Sequence, residues 1–124
     1  IINQVEGQML TGGQTTDEIL QGMRKLYPNS VAILTLGYEG AIYQDNSRQI
    51  RQDAFKVDAV DSTGAGDTFL GYFITEILKH DFDEFIDLSN EIVKHALNKA
   101  CFAASRCVMR LGAASSIPSA SEIN

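Results

Sequence analysis

The six residues Val31 to Leu36, VAILTL, form a nearly unbroken apolar run that stops at Gly37. A strand with solvent on one side alternates apolar and polar side chains, so a run without alternation reads as a strand buried on both faces. Just upstream, Thr15-Thr16-Asp17-Glu18 has the spacing of a capping box, and Ile19, Leu20, Met23, Leu26 and Tyr27 recur at helical intervals up to Pro28. The spacing predicts an amphipathic helix over residues 16–27. A helix that feeds a doubly buried strand points to a layered α/β arrangement with parallel strand pairing.

The rest of the chain fits around that unit. Ala41 to Tyr43, a polar turn at Asp45-Asn46-Ser47, residues Arg48 to Ile50 and a stretch through Phe55, Val57 and Val60 read as antiparallel excursions at a sheet edge. Residues Thr68 to Lys79 read as a helix. A second helix is expected from about Leu88 to Met109, where Ala96, Ala100, Ala103 and Ala104 permit close packing. The tail from Gly112 to Asn124 is rich in Ser and Ala, with Pro118, and neither a repeat nor a linker divides the chain.

Composition narrows the function classes. The 124 residues are 44% apolar, enough for one globular core, and the net charge of -6 argues against a broad nucleic-acid-binding or anionic-membrane surface. The longest apolar runs fall short of the about 20 residues that a membrane-spanning helix needs. Cys101 and Cys107 lie six apart on one predicted helix, so a disulfide between them is not expected, and they read as buried thiols of a reducing, cytoplasmic setting. With His80 and His95 far away in sequence they make no four-ligand metal pattern. The chain opens on apolar residues without an initiator Met or a signal-peptide pattern, and is expected to begin inside a larger protein.

The stretch Asp61 to Phe69, DSTGAGDTF, carries the chemistry. Gly64-Ala65-Gly66 stands between a predicted strand and a predicted helix, where the first helical N–H groups lack intrahelical acceptors and the helix dipole adds partial positive charge. With side chains reduced to hydrogen or methyl, an anionic oxygen can approach these amides closely. A tight structural turn explains an isolated glycine pair equally well. The dinucleotide-binding spacing G-x-G-x-x-G fails because position 69 is Phe69, and no Gly-Lys-Ser/Thr of a P-loop is present. Asp67 reads either as a first-turn residue that suits the dipole or as a base beside the anion hole, accepting a proton from a hydroxyl that attacks phosphorus.

DSTGAGDTF resembles the second signature of the ribokinase-type (PfkB) carbohydrate kinases. Three further motifs agree in order: Asn3-Gln4-Val5-Glu6 is similar to the family's Asn-x-x-Glu, Thr35 to Gly40 to its Thr-Leu-Gly-x-x-Gly, and Arg110 to Ala113 with Ser116 to Pro118 to its C-terminal ending. The resemblance implies a three-layer α/β/α ribokinase-like, Rossmann-like fold, with this chain as the C-terminal, nucleotide-binding portion of a mostly parallel sheet flanked by helices. It implies an ATP-dependent transfer to a sugar hydroxyl, with Asp67 as base and substrate contact, and the amides of Gly64, Ala65 and Gly66 as anion hole.

By the same resemblance Glu6 organises magnesium through its waters and Asn3 lies by the nucleotide. Thr35, Leu36, Gly37, Tyr38, Glu39 and Gly40 line the nucleotide site together with Gly66 and Asp67. Cys101 stands near the adenine, where the ribokinase pattern usually has Asn. Members close to ribokinase hold a monovalent cation, potassium, whose ligands by position are Asp61, Thr63, Cys107, Arg110, Gly112 and Ser116. The sugar-gripping half, with a lid that often forms a homodimer interface, has no counterpart here, so the isolated segment is expected to be inactive. The endings RLGAASSIP and VDAVDSTGAGDTF look closest to ribokinases, which suggests ribose going to ribose 5-phosphate. Fructokinases, 2-keto-3-deoxygluconate kinases and nucleoside kinases share the catalytic residues. A nucleotide-binding module without turnover is the alternative from another class, and a nicotinamide-dependent oxidoreductase is opposed by the failed spacing.

Overall fold

The computed structural model describes residues 1–55, 64–108 and 123. Among the described residues it has four strands and four α-helices. Strand β1 is Ile2–Asn3, followed by helices α1 (Gln4–Thr11) and α2 (Thr16–Leu26), strands β2 (Ala32–Thr35), β3 (Ala41–Gln44) and β4 (Gln49–Gln52), and helices α3 (Ala65–Ile77) and α4 (Asn90–Val108). The sheet order is β1-β2-β3-β4. β1 pairs with β2 in parallel, Asn3 opposite Thr35, whereas β2–β3 and β3–β4 are antiparallel. The sheet is therefore mixed: the parallel pair belongs to the α/β layer, β3 and β4 are expected edge excursions, and the further stretch expected through Val57 and Val60 lies outside the described residues.

Strand alternation sorts the core into two halves. Ile33, Ala41 and Tyr43 pack with Phe69, Phe73 and Ile77 of α3 and Val93, Leu97 and Ala100 of α4. Their neighbours Leu34 and Ile42 point the other way, onto Ile19 and Leu20 of α2. Helices thus cover both faces of the sheet, which is why the VAILTL run needs no polar positions. Ala96, Ala100 and Ala103 are at most 1% exposed, as their small side chains suggested, and Ala96 and Ala100 belong to the same cluster as Phe69 and Phe73.

Local signals were partly redirected. Thr15 caps α2, its Oγ1 accepting from Glu18 N at 3.2 Å, but the Glu18 carboxylate accepts from Gln14 N rather than from Thr15, so the expected capping box is only half formed. Helix α3 begins at Ala65 instead of Thr68, directly after Gly64. Buried Asp45 pins the β3–β4 turn: its carboxylate accepts from Tyr43 Oη at 2.9 Å, Arg48 Nε at 2.8 Å and the Ser47 amide at 2.9 Å. Burial alone would raise its pKa, but these hydrogen bonds outweigh it and hold the group at about 2. Arg48 also reaches Phe85 O and Asn90 Oδ1, tying the turn to the start of α4.

Candidate functional site

The start of α3 is built to stay open. Gly64, its N-cap, has φ 84°, a left-handed conformation that L side chains rarely adopt, and no side chain caps the helix. The first intrahelical bond runs from Thr68 N to Gly64 O at 2.9 Å, so the amides of Ala65, Gly66 and Asp67 precede any helical acceptor. A Cβ placed on Gly66 would meet nothing within 4 Å. Packing therefore does not require glycine there, and the space beside it is free for a ligand. Asp67 is exposed and has no hydrogen-bond or ion-pair partner among the described residues. Its neighbour Thr68 is buried with its Oγ1 unpartnered among them.

Beside this helix start lies a cavity of about 310 Å³. It gathers Thr35, Gly37, Tyr38 and Gly40 from the β2–β3 connection, Ala65, Gly66 and Phe69 from α3, Cys101, Ala104 and Ser105 from α4, and Ala54 and Phe55 after β4. Residues distant in sequence thus meet at the carboxyl end of a parallel strand, the usual place for a ligand crevice in an α/β sheet. Gly40 has its own structural reason, since a Cβ there would come 2.0 Å from Gln52 O. Leu36 points away and is buried in the α2-side core. Asn3, Glu39, Gly64 and Asp67 are likewise not among the lining residues. Ala54, Phe55, Phe69, Ala104 and Ser105 were not anticipated; the one available signal was that positions 101, 104 and 105 share a helix face.

Asn3 and Glu6 form a reciprocal capping box at the start of α1. Asn3 Oδ1 accepts from Glu6 N at 2.8 Å, and Glu6 Oε1 accepts from Asn3 N at 2.9 Å. The N-x-x-E motif therefore has a local structural use, and it also fixes the Glu6 carboxylate in place. Because Asn3 is paired with Thr35, this helix start stands beside the strand that leads into the cavity.

Cys101 is 6% exposed, and burial pushes its thiol up to about 11. Cys101 and Cys107 are both buried, and no disulfide joins them. Of the proposed potassium ligands, Asp61, Thr63, Arg110, Gly112 and Ser116 lie outside the described residues. Among the described residues no three His, Cys, Asp or Glu side chains converge to hold a metal, and no helix is long and apolar enough to cross a membrane.

A larger cavity, about 720 Å³, is lined by Ile1, Leu70, Ile74, Phe85, Ile86 and Asp45 among others. Size does not favour it as the site of chemistry. It contains none of the motif residues, and its Asp45 carboxylate is already committed to Arg48.

Comparison with known proteins gives the family. Residues 1–120 match the pattern of the pfkB family carbohydrate kinases. The chain is 31% identical over 128 residues to a ribokinase of Staphylococcus aureus and 33% identical over 126 residues to a deoxyribokinase of Salmonella typhi, covering 98% of this chain and 38% of each relative. Fructokinase-2 of Solanum habrochaites is 31% identical over 122 residues. Among solved structures, Arabidopsis thaliana ribokinase complexed with ribose and ATP superposes with a TM-score of 0.81 at 27% identity, over 98% of this chain and 39% of that one. The chain thus spans less than two fifths of the length of these curated relatives.

Proposed function

The chain belongs to the pfkB family of carbohydrate kinases, and from that membership we propose that it is the nucleotide-binding and catalytic portion of an enzyme that phosphorylates a sugar hydroxyl with ATP. The observation that carries this reading is the uncapped start of α3, with open space over Gly66 next to the cavity. Amides there can take the charge of a transferring phosphoryl group without any reorganisation of the protein.

Asp67 accepts the proton of the sugar hydroxyl as its oxygen bonds to the γ-phosphorus and the bond from that phosphorus to the bridging oxygen of ADP breaks. The exposed carboxylate suits that role, since among the described residues nothing else claims its oxygens. Glu6 fits a magnesium ion bound through water: one carboxylate held by a capping box leaves its second oxygen for a metal-bound water, and magnesium commonly takes few protein ligands. When bound, the metal neutralises phosphate charge.

Ribose is the proposed acceptor, giving ribose 5-phosphate, on the strength of the RLGAASSIP ending and the VDAVDSTGAGDTF run. Relatives named for ribose, deoxyribose and fructose are similarly close, so the assay must include all three. The test is coupled ADP release in the protein's native reading frame, against a panel of sugars. Asp67→Asn is expected to lower turnover by at least about 10²-fold with little change in ATP affinity, as for loss of a positioned base. Unchanged turnover would remove Asp67 from the mechanism. ATP binding without ADP release on any sugar would favour a nucleotide-binding module.

A further inference from the structure

Strand β1 is two residues long and leads directly into the start of α1, where Asn3 and Glu6 hold each other. Its register on β2 pairs Ile2 with Leu34 and Asn3 with Thr35. Helix α1 adds little anchorage of its own, since Val5, Met9 and Leu10 are exposed and Gly7 is its one buried residue. A Cβ on Gly7 would come 2.6 Å from Ile19 Cγ2, so close packing on α2 fixes the middle of α1 and not its start.

A side chain of β2 supplements the strand pairing. Thr35 Oγ1 donates to the Ile2 carbonyl at 3.3 Å. That carbonyl and the N–H of Asn3 belong to one planar peptide group, and the Asn3 N–H donates to Glu6 Oε1 at 2.9 Å. A single rigid unit therefore joins the hydroxyl of Thr35 to the carboxylate of Glu6, with one hydrogen bond at each end. Hydrogen bonds in such a chain polarise one another, and turning the peptide plane moves both ends at once.

Thr35 also lines the cavity of about 310 Å³, together with Gly66 of α3. A threonine hydroxyl carries one proton. While that proton is committed to the Ile2 carbonyl, Thr35 has no donor to offer the oxygens of a phosphate, which are themselves acceptors. Its use is then directed inward, toward the strand that carries the capped start of α1.

We infer that Thr35 is a positioning residue: through the Ile2–Asn3 peptide group its hydroxyl orients the Glu6 carboxylate relative to the open start of α3. The inference rests on the reading of Glu6 given above for its effect on the nucleotide, but not for its effect on the cap.

Two measurements on the protein in its native reading frame test it. In Thr35→Val, which keeps the shape and removes the hydroxyl, the amides of Asn3 and Glu6 should exchange with deuterium about tenfold faster, the worth of one hydrogen bond, while that of Leu97 in α4 keeps its rate. Thr35→Ser should retain most of the original protection, and Thr35→Ala serves the same comparison if the valine variant does not fold. In calorimetric titration, Thr35→Val should weaken ATP binding by about tenfold with magnesium present and by less than about threefold in EDTA. Unchanged exchange at Asn3 and Glu6 overturns the inference. Equal weakening with and without magnesium also overturns it, because Thr35 would then touch the nucleotide directly. Faster exchange at the cap in a protein that binds no ATP would instead overturn the nucleotide reading and leave the link from Thr35 to Glu6 standing.

Discussion

Two helix starts in this chain are handled in opposite ways. At α1, Asn3 and Glu6 exchange side-chain and backbone hydrogen bonds, and the exposed helix end is closed by its own residues. At α3, Gly64 turns through a left-handed conformation, no side chain caps the helix, and Asp67 has no partner among the described residues. A side-chain cap contributes about 1 kcal/mol, and glycine within a helix costs up to about 1 kcal/mol against alanine. α3 forgoes the first and accepts the second. It can do so because Phe69, Phe73 and Ile77 are at most 4% exposed, and burying each such side chain contributes about 1.5–3 kcal/mol. A helix anchored by its apolar face can leave its end to a ligand, whereas α1, with Gly7 its one buried residue, relies on local capping.

The contrast can be broken by substitution. The largest effect is the loss of about 10² in turnover expected of Asp67→Asn, since no residue at α1 stands in for a base at α3. Next, Gly64→Ala should cost about 1–2 kcal/mol in chemical denaturation, because the methyl group is forced into the left-handed region. If stability is unchanged, the turn does not depend on φ at this position.

Asn3→Ala should cost about 1 kcal/mol by removing the cap, and Asn3→Asp, which keeps the acceptor oxygen, should recover most of it. Equal losses in the two variants would show that capping is not what Asn3 does. The smallest effect sharpens the comparison most. Gly66→Ala should raise stability by about 0.5–1 kcal/mol, since its Cβ meets no neighbour, while ATP binding weakens. Stability and binding moving in the same direction would mean that Gly66 serves the fold.

Much of this was legible in advance. The helix at residues 16–27 appears as Thr16–Leu26, the buried strand as Ala32–Thr35, and the hairpin and long C-terminal helix stand where periodicity placed them. Helix α1 was harder to see because it presents only a short, mostly exposed stretch with little apolar pattern. The capping boxes show the limit of spacing rules. Thr15–Glu18 and Asn3–Glu6 have the same spacing, but the Glu18 side chain reached the amide of Gln14 and only the second pair closed on itself.

Local chemistry was determined by sequence alone: an apolar run that must be covered on both faces, a glycine pair at a helix start, and an acid in its first turn. These depend on residues adjacent in the chain and on backbone sterics that act over a few positions. The cavity was decided only by tertiary structure. Phe55, Cys101, Ala104 and Ser105 join the β2–β3 connection there because α4 packs across the sheet beside α3. Strand alternation sent Leu36, in the middle of a glycine-rich motif, into the opposite core. Which side chains face one another across such a space depends on how layers stack, and that is a property of the whole packed core.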